Sequence, residues 1–153
     1  MKLEKLEKYV FVSGTENLEY KFYSRGPKKI IRKVVLYKHL VEIDKNLYNL
    51  GFGDWDKHTG RVDDQAVSNN GDRQKVLATV AATVVHFTAK YPEATILVYG
   101  STSSRSRLYQ IAIAAHKEEI AALFEVSGFF QNTWEPFQKG KNYSGFLIKR
   151  KKT

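Results

Sequence analysis

The sequence predicts an α+β fold: an antiparallel sheet in the order β-β-β-β-α-β-α-β-β with two helices packed on one face. Two observations support this prediction. Four segments with strand-like patterns precede the first helical segment, and two longer segments repeat apolar residues at three- and four-residue intervals. Because a doubly wound α/β fold alternates strands and helices from the start, the run of four strands excludes it.

The clearest strands form a hairpin near the start of the chain. Residues 20–24 alternate apolar and polar side chains, and residues 25–28 supply glycine and proline for a turn. Residues 29–40 are rich in β-branched and aromatic side chains, which predicts the return strand. The other predicted strands are residues 47–52, 61–67, 94–99, 125–130 and 143–150.

Two helices are predicted in the second half of the chain. Residues 68–72 offer several capping side chains, which is typical of a helix start, and Pro92 ends the apolar stripe that follows at about Tyr91. The loop of residues 100–104 then leads into a second helix at residues 105–124.

Length and composition favour one domain over residues 1–153, with residues 1–17 and 149–153 peripheral or frayed. Hydrophobic residues make up 42%, which is enough for a core. The absence of cysteine excludes disulfides, thiolate metal sites and cysteine nucleophiles. We find no apolar stretch long enough for a signal peptide or a membrane span, so we expect a cytoplasmic protein without membrane contact.

Positive charge is unevenly distributed along the chain. The net charge is +9, and residues 20–40 contribute seven positive side chains and no negative one. Such an excess favours anionic partners, above all nucleic acid, although lysines also serve simply to keep a protein soluble.

The basic hairpin is the first candidate site, because its cations are interleaved with aromatic residues. Lysine and arginine neutralise phosphates, and exposed aromatic rings stack on bases, so this pattern indicates binding of single-stranded nucleic acid. Strand alternation also allows the aromatics to lie in the core with only the cations outside. The candidate residues are Lys21, Arg25, Lys28, Lys29, Arg32, Lys33 and Lys38.

The loop before the second helix is a candidate anion site. Free backbone N–H groups and the positive end of the helix dipole favour an anion there, and guanidinium groups bind phosphate well. The alternative is a cap by Ser103 or Ser104, with the arginines solvated or paired with acids. The residues expected to bind the anion are Ser101, Thr102, Arg105 and Arg107.

Acidic residues form a polar cluster whose role stays open. Asp54, Asp64 and Asp72 belong to a group of five aspartates within residues 54–72. We favour turns and caps over a divalent-ion site, because no calcium-loop spacing is present. A third reading pairs Asp64 or Asp72 with one of the two loop arginines. We expect no metal and no cofactor.

Several motifs together resemble a family of small proteins, chiefly from Bacteroidetes, catalogued only as a domain of unknown function. They are residues 48–54 (YNLGFGD), 69–72 (NNGD), 76–80 (VLATV) and 100–102 (GST), followed by Arg105, Arg107, Leu108 and Tyr109. The resemblance covers roughly residues 18–148 and implies no established activity. Four strands followed by a helix also resemble, in architecture alone, the Pur and Whirly types of single-stranded nucleic-acid-binding domain.

The leading hypothesis is therefore a module that binds single-stranded DNA or RNA, or a phosphate-bearing ligand, through the basic hairpin and the Gly-Ser-Thr loop. One rival is a small enzyme or toxin-type protein acting on a nucleotide or phosphorylated substrate. Another is a protein–protein interaction module, with a homodimer as one form. We favour a binding protein over an enzyme.

Overall fold

The computed structural model describes residues 6–27, 29–64 and 70–152. Within these residues the chain forms nine strands, three α-helices and a 3-10 helix at Thr15–Asn17. The strands are β1 (Val12–Ser13), β2 (Glu19–Arg25), β3 (Ile30–His39), β4 (Leu47–Asp56), β5 (Arg61–Asp63), β6 (Thr95–Val98), β7 (Phe124–Phe130), β8 (Thr133–Pro136) and β9 (Phe146–Arg150). The helices are α1 (Arg73–Lys90), α2 (Ser103–Ala115) and α3 (Lys117–Leu123).

The strand order is β1-β2-β3-β4-β6-β9-β7-β8, and β5 pairs with β4. The α+β prediction is confirmed. The sheet is mostly, not entirely, antiparallel, because β4 and β6 run parallel with Leu47 opposite Thr95. Parallel neighbours need a long crossover connection, and the chain between these two strands contains α1.

The described chain divides into two compact units. Unit 1 contains the residues up to Lys38 and Gly51–Tyr91, and unit 2 contains His39–Leu50 and the residues from Pro92 onward. Each unit has its own set of buried side chains.

In unit 1, α1 packs on one face of the β2–β3 hairpin through aromatic and hydroxyl contacts. The ring of Tyr37 stacks on Phe87 with centroids 4.0 Å apart, and its hydroxyl lies 2.9 Å from the Thr83 hydroxyl. The Tyr20 hydroxyl lies 2.8 Å from His86 Nδ1. Burial raises the pKa of Tyr37 and raises that of Tyr20 to about 12. We call this covered side of the hairpin the inner face.

The N-terminal segment adds two rings to the same core. Tyr9 stacks on Phe22 and Phe11 meets Tyr20 edge-on, with centroids 5.8 and 5.4 Å apart. The backbone N–H of Tyr9 donates to Thr79 Oγ1 in α1 at 2.9 Å. Part of the segment expected at the periphery therefore contacts the core of unit 1.

Unit 2 is built around Phe146 of β9, which is fully buried. The rings of Phe137 and Tyr143 each lie 6.1 Å from it. Gln110 of α2 accepts a hydrogen bond from the backbone N–H of Tyr143 at 2.7 Å, which joins the helix to this cluster. The single helix predicted for residues 105–124 is instead two helices, because His116 has non-helical backbone angles, φ −122° and ψ 27°.

Candidate functional site

Strand alternation divides the residues of the basic hairpin between two faces. On β2, Tyr20, Phe22 and Ser24 point to the inner face and are buried, whereas Tyr23 and Arg25 are exposed. Of the four aromatic residues predicted between the cations, Tyr23 alone is therefore placed to meet a ligand. The other three are Tyr20, Phe22 and Tyr37, and all are buried in the core of unit 1.

Lys33 lies on the inner face, because the strand register sets it opposite Phe22. Its side chain forms an ion pair with Asp54 of β4, and its Nζ lies 5.8 Å from the centre of the Phe52 ring. The residue is only 5% exposed. A phosphate contact by Lys33 stays a prediction, and it would require the buried ammonium group to leave the carboxylate with which it is paired.

On the opposite, outer face, three planar side chains lie in neighbouring strands. Tyr23 of β2 stands opposite Arg32 of β3, and the Arg32 guanidinium lies over the Trp55 ring of β4, 5.0 Å from its centre. Tyr23 is 49% exposed. Among the described residues, Arg32 Nε is buried and has no hydrogen-bond partner, and the stacking on Trp55 stabilises this guanidinium.

Further cations lie on the same face of β2 and β3. Lys21 forms an exposed ion pair with Glu19 at 3.4 Å, a type of contact that contributes little to stability. Lys38 lies on the same face of β3 as Arg32 and is exposed. Val34, which lies between them on that face, is buried. We call Lys21, Tyr23, Arg25, Arg32, Lys38 and Trp55 the outer basic face.

Of the two remaining basic candidates, the structure describes Lys29, which lies in the turn between β2 and β3. Lys29 is exposed, and its backbone carbonyl accepts from the backbone N–H of Gly26 at 3.0 Å. Lys28 lies outside the described residues.

Asp72 is part of a hydrogen-bonded cluster that joins three segments of unit 1. Its carboxylate accepts from the Tyr9 hydroxyl at 2.6 Å and from the Ser24 hydroxyl. The Asn70 amide donates to Ser24 Oγ at 3.0 Å, and the Tyr9 oxygen accepts from the backbone N–H of Arg25 at 3.0 Å. Burial and the neighbouring carboxylate raise the pKa of Tyr9. Because Ser24 is fully buried, this cluster serves as a structural clasp.

The other acids of the predicted cluster lie on β4 and β5. Asp54, paired with Lys33, stands opposite Asp63 in the strand register, and Asp63 and Asp64 are exposed. In the part of the chain that the structure describes, no group of three or more His, Cys, Asp or Glu side chains is placed to hold a metal ion.

The Gly-Ser-Thr loop in unit 2 is a capped helix start. Thr102 is the N-cap, and its hydroxyl accepts from the Arg105 N–H at 3.2 Å. The Ser106 hydroxyl accepts from the Gly100 N–H at 2.9 Å. A side chain on Gly100 would collide with the backbone of Arg105 and Ser106, so only glycine allows this close approach. The cap is Thr102 and not the expected Ser103 or Ser104.

The predicted anion ligands lie at the cap or in the first turns of α2. Ser101, Thr102 and Arg107 are exposed, and Arg105 is half-buried. The anion site, and the pairing of the two arginines with Asp64 or Asp72, stay predictions.

A model of the family of unknown function DUF6934 matches residues 5–151. The chain belongs to this family. The resemblance drawn from the motifs is thereby confirmed as membership of a family of unknown function. A search of curated proteins and a search of solved structures gave no match.

In this DUF6934 chain, two of the motifs behind the resemblance have structural roles. The Asn-Asn-Gly-Asp motif supplies Asn70 and Asp72 to the clasp, and the Gly-Ser-Thr motif supplies the close approach at Gly100 and the Thr102 cap. Residues 65–69 lie outside the described residues, and they include Asn69, the first residue of the Asn-Asn-Gly-Asp motif.

Sequence reasoning missed Trp55 as a member of the outer basic face. A signal was available, since Trp55 follows Gly51 and Gly53 at two-residue spacing and so shares their face of the strand.

Among the described helices of the DUF6934 chain, none has the length and apolar character needed to cross a membrane.

Proposed function

We propose that the protein binds single-stranded nucleic acid through the outer basic face. One observation carries the proposal: Tyr23, Arg32 and Trp55 lie in neighbouring strands with Arg32 over the tryptophan ring. Lys21 and Arg25 lie on either side of Tyr23 on the same face of β2. Aromatic rings and guanidinium planes stack on bases of any sequence.

Electrostatics supports the same partner. Residues 20–40 carry seven positive charges and no negative one. Of the six that the structure describes, Lys33 is the one that is buried. Lys21 exchanges a weak exposed ion pair for a phosphate at little cost, because such pairs contribute little to stability. Release of counterions from the strand then supplies the binding free energy.

A single strand suits this surface better than a duplex. The face is formed by sheet residues that project planar side chains, and bases reach such side chains only when they are unstacked from a partner strand. Phosphate-bearing ligands without bases would use the cations but leave the exposed Tyr23 ring without a role. We therefore expect single-stranded oligonucleotides to bind more tightly than duplexes of equal length.

The test is fluorescence anisotropy with labelled 12-mers of DNA and RNA, each as a single strand and as a duplex, over a range of salt concentrations. Affinity should fall linearly on logarithmic axes as salt increases. The double substitution Lys21→Ala with Lys38→Ala should reduce the slope by about 1.4, since each lost single-strand phosphate contact contributes about 0.7.

A charge-matched control separates this surface from net charge. Lys45→Ala with Lys117→Ala removes the same two charges from unit 2 and should leave the slope nearly unchanged. Tyr23→Ala should weaken binding by about 5- to 100-fold, the range expected for one lost base stack. The proposal fails if no single strand binds at low salt, or if the control pair weakens binding as much as the Lys21 and Lys38 pair.

A further inference from the structure

Unit 2 has an open groove of about 370 Å³ on the face of the sheet formed by β6, β7, β8 and β9. Its lining has no charged side chain and three aromatic ones. The lining residues are Leu97, Tyr99, Phe129, Trp134, Ser144 and Gly145.

Gly145 forms the floor between two aromatic walls. A Cβ atom at this position would lie 3.7 Å from Tyr99 Cβ and 3.8 Å from Trp134 Cη2, in ordinary contact with both. The absent side chain thus leaves a slot between the two residues. Tyr99 and Trp134 are 53% and 40% exposed, so both present ring surface to an incoming molecule.

The slot is held by the backbone and by ring packing. The Phe129 N–H donates to the Gly145 carbonyl at 2.9 Å, and the Ser144 N–H donates to the Phe129 carbonyl at 3.1 Å. The Phe129 ring lies against Trp134 with centroids 5.0 Å apart. Because these contacts are made within the protein itself, little ordering is needed when a ring enters.

Polar atoms at the slot favour a heteroaromatic ring over a hydrocarbon one. Ser144 lines the groove, and its hydroxyl donates to the Phe129 carbonyl at 3.4 Å, so its oxygen can still accept a hydrogen bond. The Val98 carbonyl oxygen would lie 3.6 Å from a Cβ on Gly145. Acceptor oxygens of this kind complement the N–H groups on the edge of a nucleobase.

The positive charge of the last segment of the chain favours a base that is attached to an anion. Residues 137–153, which contain Ser144 and Gly145, carry six positive side chains and no negative one. Lys141 and Lys152 of this stretch lie within 2.9 and 3.4 Å of Glu135 and Glu93. A purely apolar peptide segment would gain nothing from the positive charge of this stretch, whereas a nucleic-acid strand would.

We propose that the slot between Tyr99 and Trp134 binds one nucleobase of a single strand. This inference rests on the proposed function for the identity of the ligand, but it concerns a different surface with different residues. The protein has two tryptophans, Trp55 on the outer basic face and Trp134 in the slot, so each surface has its own fluorescent reporter.

The experiment titrates two single-tryptophan variants with a thymidine 12-mer and with an abasic 12-mer of equal charge. Trp55→Phe leaves Trp134 as the reporter, and Trp134→Phe leaves Trp55. We expect the thymidine strand to quench Trp134 in a saturable way and the abasic strand to leave it unquenched. If the thymidine strand quenches Trp55 alone, the slot does not bind a base, and the proposed function of the outer basic face stands. If it quenches Trp134 alone, the outer basic face does not bind the strand, and the inference about the slot stands.

A second experiment fills the slot by substitution in the Trp55→Phe variant. Gly145→Ala places a methyl group against both walls and should weaken thymidine-dependent quenching by about 5- to 100-fold, the loss of one base stack. Gly14→Ala, whose added Cβ meets only ordinary contacts at 3.5 Å in unit 1, is the matched control and should change nothing. Equal quenching by the abasic strand, or an unchanged Gly145→Ala variant, would overturn the inference.

Discussion

Replacing Asp54 by alanine leaves the Lys33 ammonium buried without its carboxylate. The Asp54 and Lys33 side chains are 15% and 6% exposed, so water cannot replace the carboxylate as the partner of the ammonium group. Removing one partner of a buried ion pair costs about 3–5 kcal/mol, because the remaining charge stays desolvated. We therefore expect Asp54→Ala to lower the free energy of unfolding by about 3–5 kcal/mol, and Lys33→Met to lower it by a similar amount.

The double substitution Lys33→Met with Asp54→Leu should behave differently. An apolar pair of similar volume removes both charges at once, and such replacements are often neutral or stabilising. The double variant should thus unfold within about 1–2 kcal/mol of the parent protein. The coupling energy of the two positions is then several kcal/mol, far above the value for exposed pairs.

Urea unfolding followed by circular dichroism gives these free energies, with Lys38→Met as the matched control on the same strand. Lys38 is exposed and should cost less than about 0.5 kcal/mol. Oligonucleotide binding should weaken for Lys38→Met but stay near the parent value for the double variant. If Lys33→Met unfolds like the parent and binds nucleic acid more weakly, Lys33 contacts phosphate after all and the burial argument is refuted.

Three other predictions follow from single contacts. Tyr9→Phe keeps the ring but removes the hydroxyl that donates to Asp72, and should lower the unfolding free energy by about 1–3 kcal/mol in urea titrations; an unchanged midpoint would contradict the clasp. Glu135 has its pKa lowered below 4.5 by hydrogen bonds from a lysine and a tyrosine, so its stabilising contribution is complete above that pH and is lost as pH falls through the folded value. Glu135→Gln should make unfolding by acid less steep in the pH range where Glu135 titrates, and an unchanged acid-unfolding curve would contradict the stabilising role of this carboxylate. Replacing both Arg105 and Arg107 by alanine should weaken inorganic phosphate binding in calorimetry while the melting temperature changes little; a large fall in melting temperature would make the arginines structural.

The early strands and both helix starts could be predicted because local patterns determine them. Alternation placed β2 and β3 within a few residues of their observed ends, and Pro92 ended α1 as expected. The break at His116 had no local signal, since the surrounding residues include neither glycine nor proline. β8 was missed because four residues that end in Pro136 offer too short a pattern, and the turn before it uses Gln131 and Asn132 at positive φ in place of glycine.

The candidate site was predicted only in part, because charge is visible in a sequence and register is not. Lys33 and Arg32 are neighbours with the same charge, yet one faces the core and the other a tryptophan. Alternation alone separates them, since Lys33 shares its parity with Val35 and Tyr37. The partner Asp54 lies 21 residues away, and only the pairing of the strands brings it to Lys33.

The motifs behind the family resemblance and the surfaces proposed for binding are made of different residues, and this has a physical reason. Asn70, Asp72 and Thr102 direct their polar groups toward the protein's own backbone and side chains, where a substitution disturbs folding. Tyr23 and Trp134 are 49% and 40% exposed, and a substitution at an exposed position usually has a small effect on folding. Variants of the two exposed aromatics should therefore keep the unfolding midpoint while nucleic-acid binding falls, and variants of the three motif residues should lower the midpoint first.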